Sequence, residues 1–173
     1  MIGLQNKVLK SDRLTFRLLC ENDFDDLHQI LNDPSVTEPA GFKVSDNKAE
    51  FRVFFERLRK YNTAIAILKE DILIGYIHVN KWHPDIPKYN DRRCVSLGFV
   101  IGKEYQGNGY ATETLITITS YLKQLFDFCF ADHFDGNEAS KKVIIKSGYK
   151  FVETYNMYFE DLEKDITCQS YVF

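Results

Sequence analysis

Cys94-Val95-Ser96-Leu97-Gly98-Phe99-Val100-Ile101, followed after Gly102–Tyr105 by Gln106-Gly107-Asn108-Gly109-Tyr110-Ala111-Thr112-Glu113, is the stretch on which the reading of this chain turns. Its first half is apolar and β-branched, which predicts a strand. Gly98 inside it predicts a bulge or a close backbone approach. Its second half is a Gly-rich turn. A helix is expected from about Ala111 to Phe126, because Ala111, Leu115, Ile118, Leu122 and Leu125 recur in steps of four and three. The first turn of a helix leaves N–H groups unpaired and carries the positive end of the dipole. Glycines let that backbone approach an anion, so strand, turn and helix together predict a phosphate cradle.

Several nucleotide binders use such a cradle. A P-loop needs Gly-Lys-Ser/Thr, and this turn has Gly109-Tyr110-Ala111. A dinucleotide fingerprint needs Gly or Ala where Thr112 stands, and usually opens the fold rather than closing it. An oxidoreductase reading is therefore disfavoured.

Working outward, Leu14–Leu19 reads as a strand and Glu21–Leu31 as a helix with Phe24, Leu27, His28 and Leu31 on one face. His28 on that face reads as a packing residue. Asp33-Pro34 ends this helix. Asn32–Val44 reads as a loop beside the substrate path, and Ser45–Arg59 as a second helix with Phe51, Phe54, Phe55 and Leu58 inward. Thr63–Leu68 and Ile72–Val79 are expected as strands about a turn, with Trp82–Arg93 a loop. Phe128–Asp132 reads as a strand, and Glu138–Ser147 as a helix closed by Gly148. Lys150–Phe159 and Lys164–Val172 read as a final strand pair, joined at Glu160–Glu163. No repeat or linker interrupts this order. One mixed α/β domain over residues 1–173, with its core from about residue 11, is the expectation.

Composition agrees with one folded domain. A chain of 173 residues suffices for one sizeable core and is short for two. With 14 Phe and 10 Tyr it carries too much aromatic surface to stay disordered. A net charge of −3 argues against a nucleic-acid binder that depends on phosphate contacts. Cys20, Cys94, Cys129 and Cys168 are scattered, without a paired motif or a His at metal spacing. They read as small buried residues of a reducing compartment, and no metal is expected. Met1–Lys7 has no apolar core of a leader, and no apolar run approaches the roughly 20 residues of a membrane span. The expectation is a cytoplasmic protein that binds neither membrane nor nucleic acid.

Gln106-Gly107-Asn108-Gly109-Tyr110-Ala111 resembles the Q/R-x-x-G-x-G/A signature of the GNAT acetyltransferases. Gly107–Glu113 resembles the G-x-G-Y-A-T-E of the branch that contains the ribosomal-protein-alanine N-acetyltransferases. Asn137-Glu138-Ala139-Ser140 with Lys146-Ser147-Gly148-Tyr149 resembles that branch's second block, and Arg13-Leu14-x-x-Arg17 its first strand. The resemblance covers nearly the whole chain. It implies a central mixed, mostly antiparallel sheet of six to seven strands flanked by about four helices, with splayed central strands.

It also implies a ligand, acetyl-CoA, and a direct transfer of acetyl to a primary amine of a peptide or small molecule. The pantetheine arm would lie between Cys94–Ile101 and Phe128–Asp132, facing backbone groups of Phe99, Val100 and Ile101. The turn Gln106–Ala111 would bind the cofactor, with N–H groups from Gly107 to Thr112 on the pyrophosphate. Asn137 would bond the arm, and Ser140 would sit near the sulfur as proton donor to the thiolate. Asn137 also suits a helix N-cap, and Ser140 a hydroxyl that satisfies local backbone. Glu113 suits a carboxylate offsetting the helix dipole. Lys141, Lys142 and Lys146 suit either a 3′-phosphate or a solvated face.

One position departs from the family. A Glu often stands two residues before the strand's Gly, and here that residue is Ser96. Candidate bases are then His133, preferred for its place after the splayed strand, and His78, His83 and Glu104, with a water chain as the alternative to a side-chain base. The acceptor is expected near Trp82, His83, Tyr89 and the Asn32–Val44 loop. The same departure keeps a second reading open, a non-catalytic acyl-CoA-binding module. Monomer and homodimer are equally compatible with the sequence.

Overall fold

In the computed structural model, which describes residues 4, 7–81, 86–159 and 163–173, the run Cys94–Ile101 is the fifth strand of an eight-stranded sheet. The strands are β1 (Leu9–Lys10), β2 (Thr15–Leu18), β3 (Ala64–Lys69), β4 (Ile72–Lys81), β5 (Cys94–Ile101), β6 (Phe128–Phe134), β7 (Lys150–Phe159) and β8 (Lys164–Val172). Their spatial order is β1-β2-β3-β4-β5-β6-β8-β7. Every neighbouring pair is antiparallel except β5 and β6. The parallel pair follows from the connection, because a helix crosses over between these two strands.

The helices are α1 (Phe24–Leu31), α2 (Pro34–Thr37), α3 (Lys48–Lys60), α4 (Tyr110–Leu122) and α5 (Glu138–Lys146). The sheet exceeds the expected six to seven strands by the two-residue β1, too short to show a period in the sequence. The fifth helix, α2, lies in the segment expected to be a loop. Asp33 caps it through a bond from the Ser35 N–H, and Pro34 occupies its first position, so the proline that stops α1 starts α2. Trp82 and His83, and the Glu160–Leu162 part of the last connection, lie outside the described residues.

Alternation along the strands makes two cores. Val95, Leu97 and Ile101 of β5 face α4 and α5, where they meet Leu115, Ile118, Leu122 and Ile144. Each such fully buried side chain contributes roughly 1.5–3 kcal/mol of transfer free energy. Val100 and Tyr76 face the other way, onto Leu27, Leu31, Phe51 and Phe55 of α1 and α3. His28 is buried there between the rings of Phe24 and Phe51. Among the described residues no helix is long and apolar enough to cross a membrane.

Two irregularities matter for function. Pairing between β5 and β6 ends at Leu97↔Ala131, so the strands part beyond it. The bulge expected in β5 is instead in β4: Ile67↔Gly75 is followed by Leu68↔Leu73, which leaves Ile74 unpaired against β3. The ladder between β4 and β5 is unbroken from Gly75↔Ile101 to Lys81↔Val95. Gly98 therefore marks no bulge. Close approach belongs to Gly75, where a Cβ would lie 2.1 Å from the Val100 carbonyl oxygen.

Candidate active site

A cavity of about 350 Å³ opens where β5 and β6 part. Phe99, Val100 and Ile101 form its inner wall, the glycine turn its outer end, and Asn137, Ser140 and Val143 of α5 its flank. It thus brings together most of the residues expected to hold a cofactor.

The phase of the β4–β5 ladder decides which backbone groups face this cavity. The Gly102 N–H donates to the Ile74 carbonyl at 2.8 Å. Hydrogen-bonded pairs alternate along an antiparallel ladder, so Val100 and Gly98 also direct their N–H and C=O toward β4. Phe99 and Ile101 direct theirs toward β6, where no strand pairs with them. The expectation for Val100 is corrected accordingly. Its backbone is committed to Tyr76 and its side chain is buried, so it lends wall rather than a free N–H. The Ile101 carbonyl is taken by the Gln106 Nε2, which donates to it at 2.9 Å. The N–H groups of Phe99 and Ile101 remain for a ligand.

The turn is held open from behind. Gly107 and Gly109 have φ of +77° and +80°, the left-handed region that favours glycine. Gly109 is the N-cap of α4, and no side chain among the described residues caps that end. The Asn108 Nδ2 donates to the carbonyls of Tyr105 (3.1 Å) and Gln106 (3.0 Å), so this side chain shapes the loop and does not line the cavity. Tyr110, Ala111 and Thr112 line it, and the first N–H groups of α4 point out of the helix end.

A clamp missed in the sequence fixes this turn to the segment between β1 and β2. Glu113 accepts from the Ser11 hydroxyl (2.7 Å), the Arg13 N–H (2.9 Å) and the Arg13 Nε (2.7 Å). Arg13 also donates to the Asn108 carbonyl at 3.1 Å and lies 4.6 Å from the Tyr110 ring centre. Burial pushes the Glu113 carboxyl up, but the bonds from Ser11 and Arg13 outweigh it and hold the group below its ordinary value. Glu113 therefore does more than offset a dipole. The signal was a charge pair 100 residues apart, which no local pattern reveals.

On α5, Asn137 accepts from the Ser140 N–H at 3.0 Å as N-cap and donates through Nδ2 to the Pro39 carbonyl at 2.7 Å. It caps the helix and ties it to the segment after α2. Ser140 lines the cavity, and its hydroxyl makes no hydrogen bond among the described residues. Lys142 and Lys146 line it too, without a carboxylate partner among those residues, whereas Lys141 pairs with Glu138 at 3.5 Å.

The candidate bases separate by position. His133 is buried and lines no described cavity. Its Nδ1 is 2.8 Å from the Phe134 carbonyl and its Nε2 3.2 Å from the Tyr171 hydroxyl. Glu104 is exposed in a surface hollow with Asp26, Asp33 and Lys103. Tyr89 is buried against Phe128 and Phe130. His83 lies outside the described residues. His78 stands apart. It is the ladder partner of Gly98, at the level where the sheet opens, and it lines a second cavity on the α3 face. Burial, and next the Arg57 guanidinium, push its pKa down.

A sheet parted at its centre, with free N–H groups on one edge and a glycine-bordered helix start beyond, forms a cleft suited to an extended ligand that ends in an anion. Residues 13–150 match the model of the acetyltransferase (GNAT) domain, and the chain belongs to that family. It is an acyltransferase, and the family uses acetyl-CoA. Among solved structures, a GNAT-family acetyltransferase from Bacillus anthracis superposes with TM-score 0.81 at 18% identity, over 96% of this chain and 97% of that one. RimJ of Mycobacterium smegmatis, in complex with CoA-disulfide, gives TM-score 0.75 at 13% identity, over 92% and 81%. An acetyltransferase of Salmonella typhimurium that modifies the N-terminal serine of ribosomal protein L7/L12 gives 0.76 at 16%, over 96% and 98%. At such identities the likeness is one of fold. No curated protein matches the chain significantly.

Proposed function

We propose that the protein moves an acetyl group from acetyl-CoA to a primary amine, of a peptide N-terminus or a small molecule, by direct transfer within one cleft. The observation that carries this reading is the parting of β5 and β6 beyond Leu97↔Ala131, which leaves the Phe99 and Ile101 N–H groups facing a cavity that ends at the α4 start. The pyrophosphate sits on N–H groups from Gly107 to Thr112, where helix dipole and glycine backbone favour an anion. The arm runs along Phe99 and Ile101 in place of the missing strand pairing. Acetyl-CoA fits this cleft because its extended amide arm offers the partners that β6 withdraws.

As the amine adds, the carbonyl oxygen gains negative charge, and a preorganised N–H on β5 stabilises it. Ser140, with its unengaged hydroxyl at the cavity flank, serves the departing sulfur as proton donor. Asn137 acts on the arm through the position of α5. The proton of the amine needs an acceptor that reaches the cleft, and His133, bonded to Phe134 and Tyr171, lines none of the described cavities. A non-catalytic acyl-CoA carrier would share the cradle but release no thiol. Thiol release from acetyl-CoA, followed over a panel of amines and peptides, tests the reading. Release that depends on the amine supports it; binding of acetyl-CoA with no release for any amine leaves only the carrier.

A further inference from the structure

The second cavity, about 450 Å³, lies on the face of the sheet opposite α4. Phe42, Phe54, Tyr61 and Tyr76 give it aromatic walls, and Arg57 and His78 are its ionisable nitrogen groups. Tyr76 is the ladder partner of Val100, which lines the acetyl-CoA cleft, so the two cavities meet across one residue pair. Gly98, partner of His78, presents no side chain on this face, and a Cβ there would find no atom within 4 Å. The sheet is therefore open beside His78, at the end of the β5–β6 pairing.

Arg57 carries the decisive charge. It is exposed on α3, rests 5.7 Å from the Phe54 ring centre, and has no carboxylate partner among the described residues. The neighbouring arginines of the same helix, Arg52 and Arg59, are both paired with Glu21. A guanidinium left unpaired at the rim of an aromatic cavity is suited to a planar anion, above all a carboxylate. His78 is oriented within this cavity. Its Nε2 is 2.9 Å from the Thr63 hydroxyl, and among the described residues Nδ1 faces the exposed Asn80 amide at 3.2 Å.

We propose that the acceptor is a small α-amino acid with an aromatic or bulky apolar side chain, bound with its carboxylate on Arg57 and its amine at His78. This deepens the acetyl-transfer reading and rests on it. The side chain fills the space between Phe42, Phe54 and Tyr61. His78 Nδ1, displacing its contact with Asn80, accepts one proton from the ammonium group. The free amine then forms the new C–N bond as the C–S bond breaks, and the second proton it loses reaches the sulfur through Ser140. The products are the N-acetyl amino acid, CoA thiol and one proton, which His78 returns to solvent. Among the described residues, the charged and titratable groups around His78 are Arg57 on α3, Tyr61 after it and Tyr76 on its own strand.

The test compares L-phenylalanine with phenethylamine, which lacks only the carboxylate, and with a tripeptide bearing an N-terminal phenylalanine. Thiol release is measured with the native protein, R57Q and H78Q. The native protein favours phenylalanine over phenethylamine by about 10- to 100-fold in kcat/KM, the scale of one charge-assisted pair. R57Q brings that ratio close to one. H78Q lowers kcat about 100-fold or more and flattens the acid limb of its pH profile, the scale of a lost proton acceptor. Both side chains lie at the cavity surface, and acetyl-CoA titration of each variant confirms that the cleft is intact. Equal rates for phenylalanine and phenethylamine, a faster peptide, or no acetylation of any of the three by a protein that binds acetyl-CoA overturns the proposal. Loss of acetyl-CoA binding by the native protein overturns the transfer reading itself.

Discussion

Replacing Gly75 by Ala tests the link between the β4 bulge and the cleft. The new Cβ would stand 2.1 Å from the Val100 carbonyl oxygen and 3.1 Å from the Ile101 Cα. Carbon and carbonyl oxygen approach no closer than about 3.3 Å, so β5 must retreat by roughly 1 Å. Both obstructing atoms belong to backbone, and the retreat falls on the segment that turns its N–H groups to the cavity. Overpacking costs about 1–3 kcal/mol where side chains yield, and a backbone obstacle places this change at about 3 kcal/mol. In a chain of this length that lowers Tm by roughly 6–12 °C. A displacement of about 1 Å at a reacting centre costs on the order of 100-fold in rate. The control is Gly98→Ala, whose methyl meets nothing within 4 Å. Ala is favoured over Gly in a strand by about 0.5–1 kcal/mol, so this variant melts at or above the native temperature. Its methyl faces the His78 side, so kcat/KM for the amine falls while KM for acetyl-CoA holds. Thermal melts and thiol release, run on both variants, give the answer. A Gly75→Ala protein within about 2 °C of native and with native rates, or two glycine variants that behave alike, refutes this account of the bulge.

Three other expectations concern single side chains. Glu113→Gln removes the charge that holds Arg13 against Asn108. With Arg13 half exposed, solvent screening limits the loss to about 1–2 kcal/mol, visible in a denaturant melt at pH 7 together with a raised KM for acetyl-CoA. Because the folded Glu113 pKa lies below its ordinary 4.5, this contribution is present above that value and fades as pH falls through the folded pKa, so native and variant converge in acid. Asp132 is the opposite case, with burial pushing its carboxyl up against the smaller pull of Ser170 and Tyr155. A raised folded pKa makes the charged form costly at neutral pH. Asp132→Asn therefore raises Tm at pH 7.5, and the gain shrinks as pH falls below the folded value. Ser140→Ala lowers kcat by about 10- to 100-fold with little change in acetyl-CoA affinity; unchanged turnover removes Ser140 from the proton path.

The strands and long helices were legible wherever burial imposes a period. Cys94–Ile101, Lys150–Phe159 and Lys164–Val172 form strands over the ranges the pattern predicts, and α4 buries Leu115, Ile118 and Leu122 as spaced. Short elements escaped, because the two residues of β1 and the four of α2 span less than the periods that reveal them. The glycine turn was legible as a turn into a helix start because its backbone requirement is local. What was hidden depends on pairing between distant segments. The bulge moves from Gly98 to Ile74–Gly75 because β3 and β4 lose register there. The Arg13–Glu113 clamp and the Val100–Tyr76 ladder phase likewise join residues far apart in the chain. His78 was one of four candidate bases in the sequence, and only its ladder partner, the side-chain-free Gly98, sets it apart.

In the proposed complex the helix start after Gly109 holds the pyrophosphate of acetyl-CoA while β5 holds the arm. Calorimetric titration of acetyl-CoA into the native protein and into Gly109→Val tests it most directly. Valine is strained at φ +80°, and its Cβ would lie 3.6 Å from the Arg13 guanidinium that braces the turn. Saturable binding is expected for the native protein, and affinity weaker by at least about tenfold for the variant. Equal affinity in the two, with both folded, would contradict it.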